Sequence, residues 1–364
     1  MSTRLELARA RMQELGLTAL LVTHREQCYY LSGFSGSSPT ELEAVLVITG
    51  DQQLLITDFR YLLQAEEEAS AWTLVKVEER LGATIRQVLD ELDCTTIGFD
   101  PVTVSVSLYQ EIGGSDATAP YSLLPAPGLL DRLRMTKDIG ELALIRHAVY
   151  LTDLAYQQVV TKIASGVTEH ELALEAEWVM RQHGATLAFD IIVASGAHSA
   201  LPHATTGSRT LCAGDLVVLD MGARYAHYCA DMTRTFAVAE ITPPTAHLYQ
   251  VCYEAQTTGV RTIRAGMTGR EADAQVRDVI TSAGYGDYFG HGTGHGVGLE
   301  IHEAPRLSRL ANDVLPAGAT VTIEPGIYLP GVGGVRIEDL CVLTDTGVEV
   351  LTTADKPSEL PVFG

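Results

Sequence analysis

Residues 214–236, GDLVVLDMGARYAHYCADMTRTF, place two acidic residues within apolar, strand-like runs. The first run ends in Asp220, and a second run carries Asp231. The midpoint of the two acids falls between Tyr225 and Ala226. If the chain turns back at this point, the two carboxylates face each other across a β-hairpin. Directly opposed side chains of such a hairpin have Cβ atoms about 4.5–5.5 Å apart.

A second stretch repeats this arrangement. Residues 322–339, TIEPGIYLPGVGGVRIED, carry Glu324 and Glu338, whose midpoint is Gly331 in a glycine-rich turn. Like charges opposed across a hairpin are destabilising, and burial among apolar strands increases the cost. Two such pairs therefore need either protons or cations. Two divalent cations would balance the four carboxylates charge for charge.

A third stretch supplies histidines. Residues 289–306, FGHGTGHGVGLEIHEAPR, carry His291, His295 and His302. Glycines at alternate positions over 290–298 forbid a stable helix, and we expect them to let the backbone approach a ligand closely. An imidazole among carboxylates suits Mn, Co, Fe or Zn, and the set is unlike a thiolate metal site.

A fourth stretch, ALPHATTG (200–207), places His203 in a loop next to a proline, where functional side chains often lie. The segment HGTGHG (291–296) resembles a phosphate-binding loop only superficially. It lacks the Gly-Lys-Ser/Thr ending and a following helix. The four acids and the histidines therefore predict a carboxylate-rich site for two metal ions.

Length and charge limit the class of protein. The chain has 364 residues, which at roughly 150 residues per domain predicts two domains. It has 46 acidic and 25 basic residues, a formal net charge of −21. Residues 1–130 carry 8 basic and 18 acidic residues, and residues 131–364 carry 17 and 28. Because neither part is basic, nucleic acid and an anionic membrane are not expected as partners.

The cysteines and the N-terminal residues bear on the compartment. The six cysteines are far apart and form no CxxC pair, which argues against a disulfide framework and a thiolate zinc site. We expect buried, reduced thiols in a cytoplasmic protein. Residues 1–16 lack the apolar segment of a signal peptide. No apolar run approaches the roughly 20 residues that a membrane span requires.

Hydrophobic patterning divides the chain in two. The first part predicts helices alternating with strands, typical of an α/β domain: helices 4–15, 61–69 and 83–92, and strands 18–23, 44–49, 54–57 and 73–77. LPAPG (124–128) has the composition of a linker. Beyond it the pattern predicts long helices at 138–163 and 168–182, then strands from 211 with one more helix near 270–283.

Together these motifs resemble the pita-bread metallopeptidases, in the branch that contains prolidase and aminopeptidase P. The resemblance covers nearly the whole chain. YLSGFSGSS (30–38) and TDFRYLLQA (57–65) resemble the creatinase-like N-terminal domain, and the acid and histidine motifs resemble the catalytic domain. The resemblance implies a two-domain α/β protein, with a creatinase-like α/β domain over 1–128 and a pita-bread α+β catalytic domain over 129–364.

The resemblance also implies a ligand set for two divalent ions per subunit, manganese first, with cobalt or zinc as alternatives. Asp231 and Glu338 would bridge the ions, and Asp220 would complete the shell of one ion. His295 and Glu324 would complete the shell of the other. The ligands are thus Asp220, Asp231, His295, Glu324 and Glu338. Arg336 would hold Asp231 in place.

The implied reaction is hydrolysis of an Xaa-Pro peptide bond in dipeptides or short peptides, by a homodimer. Glu324 would accept a proton from water and pass it toward the proline nitrogen. His302 would stabilise the oxyanion, and His203 would bond the substrate backbone. His291 would lie near the substrate. Arg306 would bind the C-terminal carboxylate of a dipeptide, which favours a dipeptidase over an aminopeptidase P.

Four alternatives stay open at this point. Aminopeptidase P shares the metal motif and differs in acting on longer peptides. Methionine aminopeptidase shares the fold but normally lacks a domain like residues 1–130. Creatinase is a metal-free amidinohydrolase with the same two-domain plan. Some relatives have lost metal ligands and are non-catalytic binding modules, whereas all five ligand positions are present here.

Overall fold

The computed structural model describes residues 3–36 and 41–364, which fall into two compact units, Met1–Leu133 and Arg134–Gly364. Ser37 and Ser38, the last residues of the motif 30–38, lie outside the described residues. The domain limits expected from the sequence, 1–128 and 129–364, stay a prediction. In the described part of the chain, no helix combines the length and apolar character needed to cross a bilayer.

The first unit is built on a six-stranded mixed sheet of order β4-β3-β2-β1-β5-β6. Its strands are β1 (Ala19–Val22), β2 (Ala44–Thr49), β3 (Gln53–Thr57), β4 (Thr73–Lys76), β5 (Thr96–Phe99) and β6 (Ser122–Pro125). Its helices are α1 (Arg4–Glu14), α2 (Arg25–Ser32), α3 (Leu62–Glu68), α4 (Leu81–Glu91) and α5 (Val106–Glu111), and α6 (Leu129–Met135) spans the boundary between the units. The predicted α/β alternation is confirmed.

The predicted linker 124–128 is wrong in its first two residues. Leu124 and Pro125 belong to β6, where they lie opposite Gly98 and Phe99 of the parallel strand β5. β6 is the last strand of the sheet, so one side of it has no neighbouring strand in that sheet. An edge strand tolerates a proline that cannot donate to a ladder, which explains why the composition misled.

The second unit has four long helices, α7 (Ile139–Val159), α8 (Glu169–Gln182), α9 (Pro243–Thr262) and α10 (Gly269–Ser282). Strands β8 (Ile192–Ser195), β9 (Leu216–Met221), β12 (Met232–Val238) and β20 (Val362–Phe363) form one sheet, of order β20-β12-β9-β8. Strands β13 (Gly294–Gly296), β14 (Glu303–Leu307), β15 (Thr320–Ile323), β18 (Asp339–Thr344) and β19 (Gly347–Val350) form another, of order β14-β13-β15-β18-β19. A three-stranded sheet joins β7 (Thr186–Leu187), β10 (Ala223–Tyr225) and β11 (Tyr228–Cys229). A two-stranded sheet joins β16 (Gly326–Leu329) and β17 (Gly333–Arg336).

Each helix pair of the second unit buries its apolar face against one of the large sheets. One core joins α7 and α8 to the sheet that contains β9 and β12. The other joins α9 and α10 to the sheet that contains β15 and β18. Capping boxes at Asp138, Thr168, Thr242 and Thr268 satisfy free amides at the start of all four helices. The two helix pairs thus pack against the sheets on which the acidic residues lie.

Helix α9 was missed by the sequence patterning. Between 211 and 269 we expected strands, because α9 contains many threonine, tyrosine and valine residues of low helix propensity. Burial of Leu248, Cys252 and Ala255 in the core outweighs that propensity. A helix-start signal was present, since Thr242 at the N-cap is followed by prolines in the first turn.

The cysteine expectation is confirmed at five of six positions. All six are free thiols, and Cys28, Cys94, Cys229, Cys252 and Cys341 are buried. Cys212 is exposed, so the expectation of a buried thiol is wrong there. It lies in the turn before β9, where its amide donates to Asp215 Oδ2 at 2.8 Å and its side chain faces solvent.

Candidate metal centre

The aspartate hairpin has a register two residues away from the predicted one. In the β9–β12 ladder Asp220 pairs with Thr233, so Asp231 is its diagonal neighbour and the prediction of direct opposition is wrong. The chain turns at Ala226 and His227, which both have positive φ, 44° and 74°. That turn lies one residue later than expected. Because strand side chains alternate, a shift of two residues leaves both carboxylates on the same face.

The glutamate hairpin has the predicted register. Ile323 pairs with Asp339 in the β15–β18 ladder, and the β16–β17 ladder continues the same register around Gly331. Glu324 and Glu338 lie between these two ladders and are therefore opposite each other. This part of the prediction is confirmed.

The glycine-rich stretch contains no helix, as predicted, and its middle forms strand β13. A Cβ atom on Gly294 would lie 2.0 Å from the carbonyl oxygen of Thr322, and one on Gly296 would lie 2.2 Å from that of Ala304. Because glycine has no side chain, the backbone of the neighbouring strands can lie this close to Gly294 and Gly296. Gly292 and Gly294 also line a cavity, and the expectation of close approach to a ligand stays a prediction. His295 stands between the two glycines.

The acids and His295 converge in one cavity of about 510 Å³. His295 Nε2 lies 3.1 Å from Glu324 Oε1 and 3.6 Å from Asp231 Oδ2. One possible ligand atom each of Asp231, His295 and Glu338 lie within 4.8 Å of one another. Asp220 lines the same cavity. Five strands of two sheets, β9, β12, β13, β15 and β18, carry or adjoin these five possible ligands and bring them together.

The electrostatics of the cavity favour the binding of positive charge. Burial, together with the neighbouring carboxylates, raises the pKa of Asp231 and of Glu338 well above the ordinary range. Asp220 Oδ1 is buried and has no hydrogen-bond partner in the described part of the chain. Hard divalent cations prefer such oxygen-rich sets with one imidazole. The residues present therefore fit divalent metal ions.

Arg336 organises the two hairpins from one side. Its Nη2 donates to Asp220 Oδ2 at 2.6 Å, and its Nε donates to Thr233 Oγ1 at 3.1 Å. Thr233 Oγ1 in turn donates to Glu338 Oε2 at 2.6 Å. The expectation that Arg336 holds Asp231 is therefore corrected. The shifted register places Thr233 opposite Asp220, and the guanidinium bonds that pair.

Tyr328 is a site residue that the sequence reasoning missed. Its hydroxyl accepts from Arg336 Nη1 and lies 2.9 Å from His291 Nε2, while His291 Nδ1 lies 2.7 Å from the carbonyl oxygen of Gly292. Both ring nitrogens of His291 are therefore engaged within the protein, although the residue lines the cavity. Burial raises the pKa of Tyr328 to about 12. Tyr328 lies four residues after Glu324. Because side chains two or four positions apart along a strand point to the same face, this spacing is a sequence signal that Tyr328 lies on the same face as Glu324.

The remaining predicted residues line the cavity wall. The His302 ring lies 4.4 Å from the His295 ring, centroid to centroid, and Arg306 pairs with His295 across β13 and β14. Burial and the charges of His295 and Arg306 lower the pKa of His302 to about 4. His203 lies in the loop that follows the 3₁₀ helix 196–200. No sequence pattern indicates the apolar wall, which consists of Phe189, Ile192, Pro202 and Ile301.

This two-sheet site agrees with what sequence comparison finds. Residues 143–345 match the model of Metallopeptidase family M24, and residues 4–136 match the model of the Creatinase/Prolidase N-terminal domain. The chain belongs to metallopeptidase family M24. The predicted resemblance, the two-domain α/β fold class and the metallopeptidase class are thereby confirmed, and membership of M24 implies divalent metal ions.

Relatives in the M24 family match over almost the full length. An Xaa-Pro dipeptidase from Pyrococcus furiosus is 35% identical, over 98% of this chain and 99% of the relative. The structure of an Xaa-Pro dipeptidase from Bacillus anthracis is 40% identical and covers 99% of both chains, with a TM-score of 0.93. The structure of an X-Pro aminopeptidase from Thermotoga maritima is 36% identical and covers 97% of this chain and 99% of its own, with a TM-score of 0.86.

The raised pKa of Glu338 predicts a pH-dependent stability of this M24 protein when it is freed of metal. The folded chain keeps a proton on Glu338 that the unfolded chain loses above its ordinary pKa of 4.5, so stability falls as pH rises through the folded value. Glu338→Gln removes this loss. We expect the free energy of unfolding of the variant to exceed that of the wild type near pH 8, by a margin that grows as the pH rises from the acidic end.

Urea unfolding of both proteins in a chelator, at pH values from about 4.5 to 8, measures this difference. The advantage of the variant should shrink toward zero at the acidic end. An advantage that is equal at every pH would contradict the assignment of the raised pKa to Glu338.

Proposed function

We propose that this chain is a dinuclear metal-dependent exopeptidase that hydrolyses the Xaa-Pro bond of dipeptides. The observation that carries the proposal is the convergence of four carboxylates and His295 in one cavity with Arg306 on its wall. The names of the relatives from P. furiosus and B. anthracis support the substrate class.

We assign two divalent ions to the cavity. Asp231 and Glu338 would contact both ions, Asp220 would complete one shell, and His295 and Glu324 would complete the other. When bound, such ions lower the pKa of water and polarise a carbonyl group. Manganese is the first choice for an oxygen-rich set, with cobalt or zinc as alternatives.

The side chains divide the chemistry among them. Glu324 accepts a proton from the attacking water and delivers it to the proline nitrogen, which carries no hydrogen and needs one to leave as an amine. His302, whose low pKa of about 4 keeps it neutral at pH 7, donates a hydrogen bond to the oxyanion. His203, exposed at the cavity, bonds the substrate backbone. His291 supports the wall through Tyr328.

Arg306 supports a dipeptide as the substrate. It is exposed, lines the cavity and pairs with His295 across β13 and β14. Directly opposed residues of an antiparallel pair point to the same face, so the guanidinium lies on the side of the proposed ions. A guanidinium there can bind the C-terminal carboxylate of a dipeptide through two parallel hydrogen bonds.

Arg306→Ala is expected to lower kcat/KM for an Xaa-Pro dipeptide about 10- to 100-fold, mainly through KM. The lost charge-assisted hydrogen bonds contribute about 1.5–3 kcal/mol, and each 1.4 kcal/mol is tenfold. The matching Xaa-Pro-Yaa tripeptide, whose carboxylate lies one residue further away, should lose little. Steady-state hydrolysis of both peptides measures the effect, and Arg309→Ala, an exposed neighbour outside the cavity lining, is the matched control.

Two outcomes would change this assignment. Equal losses for the dipeptide and the tripeptide would remove Arg306 from carboxylate recognition. A wild-type preference for the tripeptide would make the chain an aminopeptidase P, the activity that its relative from T. maritima is named for.

The assembly and the compartment belong to the same proposal. Six free thiols support a reducing compartment, and we assign the protein to the cytoplasm. A homodimer follows from the resemblance, and sedimentation equilibrium tests it directly.

A further inference from the structure

Helix α10 carries a buried ion pair that the proposed chemistry does not use. Asp273 and Arg277 are one helical turn apart and only 1% and 8% exposed. Arg277 Nε donates to Asp273 Oδ2 at 2.6 Å, and Nη2 donates to Oδ1 at 2.8 Å. Neither is among the described residues that line the cavity. Burying two charges costs free energy unless further hydrogen bonds satisfy them. The residues that make these further hydrogen bonds therefore indicate which segment the pair supports.

Within the described residues, the other side-chain hydrogen bonds of the pair all reach residues 289–293. Arg277 Nη1 donates to the carbonyl oxygen of Phe289 at 2.9 Å, and Nη2 donates to that of His291 at 2.6 Å. Asp273 Oδ1 accepts from the amide and the hydroxyl of Thr293, at 3.0 and 2.9 Å. Residues 289–293 belong to no helix or strand, so these bonds replace the ladder that the glycine-rich segment lacks.

Thr293 connects the ion pair to two of the proposed ligands, His295 and Glu324. The carbonyl oxygen of Thr293 accepts from the amide of Glu324 at 2.8 Å, and His295 follows two residues after Thr293. The amide of His295 donates to Thr322 Oγ1 at 3.0 Å, which in turn donates to Glu324 Oε1 at 2.9 Å. His295 and Glu324 are therefore fixed together through Thr293.

Two of the other three ligands are supported from elsewhere. Asp220 accepts from Arg336, and Glu338 accepts from Thr233. The support of these four ligands is therefore divided between two groups of residues: Asp273, Arg277 and Thr293 form one, and Thr233 and Arg336 form the other.

We propose that the Asp273–Arg277 pair positions the metal site formed by His295 and Glu324, and leaves the site completed by Asp220 largely unaffected. The inference rests on the ligand assignment proposed above. The two residues are positioning residues, because they act on the ligands through Thr293 and the backbone.

The test compares Mn²⁺ binding to chelated wild type, Thr293→Val and Arg277→Lys by calorimetric titration. Thr293→Val keeps the shape and the amide bond but loses the hydroxyl bond to Asp273. Arg277→Lys keeps the charge and loses the forked contacts. Substitutions of groups that orient metal ligands typically cost 10–100-fold in affinity. We expect that loss in one of two binding steps, with the other within about twofold.

Arg181→Lys is the matched control, because Arg181 and Glu177 form an ion pair of the same spacing on the solvent side of α8. Thermal unfolding of each metal-free protein reports damage to the fold. If Arg277→Lys shows no cooperative transition, Thr293→Val decides the question.

Equal weakening of both steps, or of neither, would overturn the inference. A single Mn²⁺ step in the wild type would overturn it together with the two-ion centre. Two steps in the wild type without cleavage of an Xaa-Pro peptide would contradict the proposed function only, and selective weakening of one step would still support the inference.

Discussion

Asp231→Asn should abolish hydrolysis of an Xaa-Pro dipeptide, with kcat/KM lowered about 10³-fold or more. Asp231 lies within reach of both His295 and Glu338, so its carboxylate is the group best placed to contact two ions. An amide carries no charge and cannot bridge two cations in the same way. Metal ions contribute several kcal/mol to such reactions, and each 1.4 kcal/mol is tenfold in rate.

Initial rates in the presence of Mn²⁺, together with a calorimetric titration, check this prediction. The variant should bind fewer ions or bind them more weakly. Asp278→Asn makes the same chemical change at an exposed position of α10 and should leave the rate unchanged. A rate within tenfold of the wild type in Asp231→Asn would remove the proposed bridge.

His302→Phe should lower kcat about 10²- to 10³-fold while Mn²⁺ binding stays unchanged. His302 lies beside His295 at the cavity, but it is not in the proposed ligand set. Loss of one oxyanion donor has this magnitude in other hydrolases. Because the phenyl ring keeps most of the shape, the change reports the lost N–H group and not a cavity.

Measuring both the rate and Mn²⁺ binding distinguishes an oxyanion donor from a metal ligand. His247→Phe, at an exposed histidine of α9, is the control for adding an aromatic ring. Weaker Mn²⁺ binding in His302→Phe would indicate a ligand instead of an oxyanion donor. An unchanged kcat would exclude His302 from the reaction.

The two hairpins show why one register was predictable and the other was not. Around Gly331 the glycine-rich turn is visible in the sequence. The β15–β18 and β16–β17 ladders share one register, so the midpoint of the hairpin stays at Gly331. The aspartate hairpin turns at Ala226 and His227, residues that seldom adopt positive φ and so give no turn signal. Both acids still lie on one face of the sheet, as the sequence predicts, because side chains alternate along a strand and the register differs by two residues.

The supporting residues were beyond the reach of sequence patterning for a different reason. An Asp and an Arg four positions apart on a helix usually form a solvated surface pair. Nothing in the sequence tells that Asp273 and Arg277 are buried against the glycine-rich segment. The partner of Arg336 also depends on the aspartate register. Ligand types follow from local motifs, whereas their supports follow from how distant segments pack.

Metal-dependent cleavage of an Xaa-Pro dipeptide by the full chain is the prediction on which the proposed function depends most. The most direct measurement strips the protein with a chelator and adds Mn²⁺ in steps up to two equivalents while following hydrolysis. The prediction is that the stripped protein shows no cleavage and that full activity returns only as the second equivalent binds. Cleavage that survives chelation, or no cleavage with Mn²⁺, Co²⁺ or Zn²⁺, would contradict it.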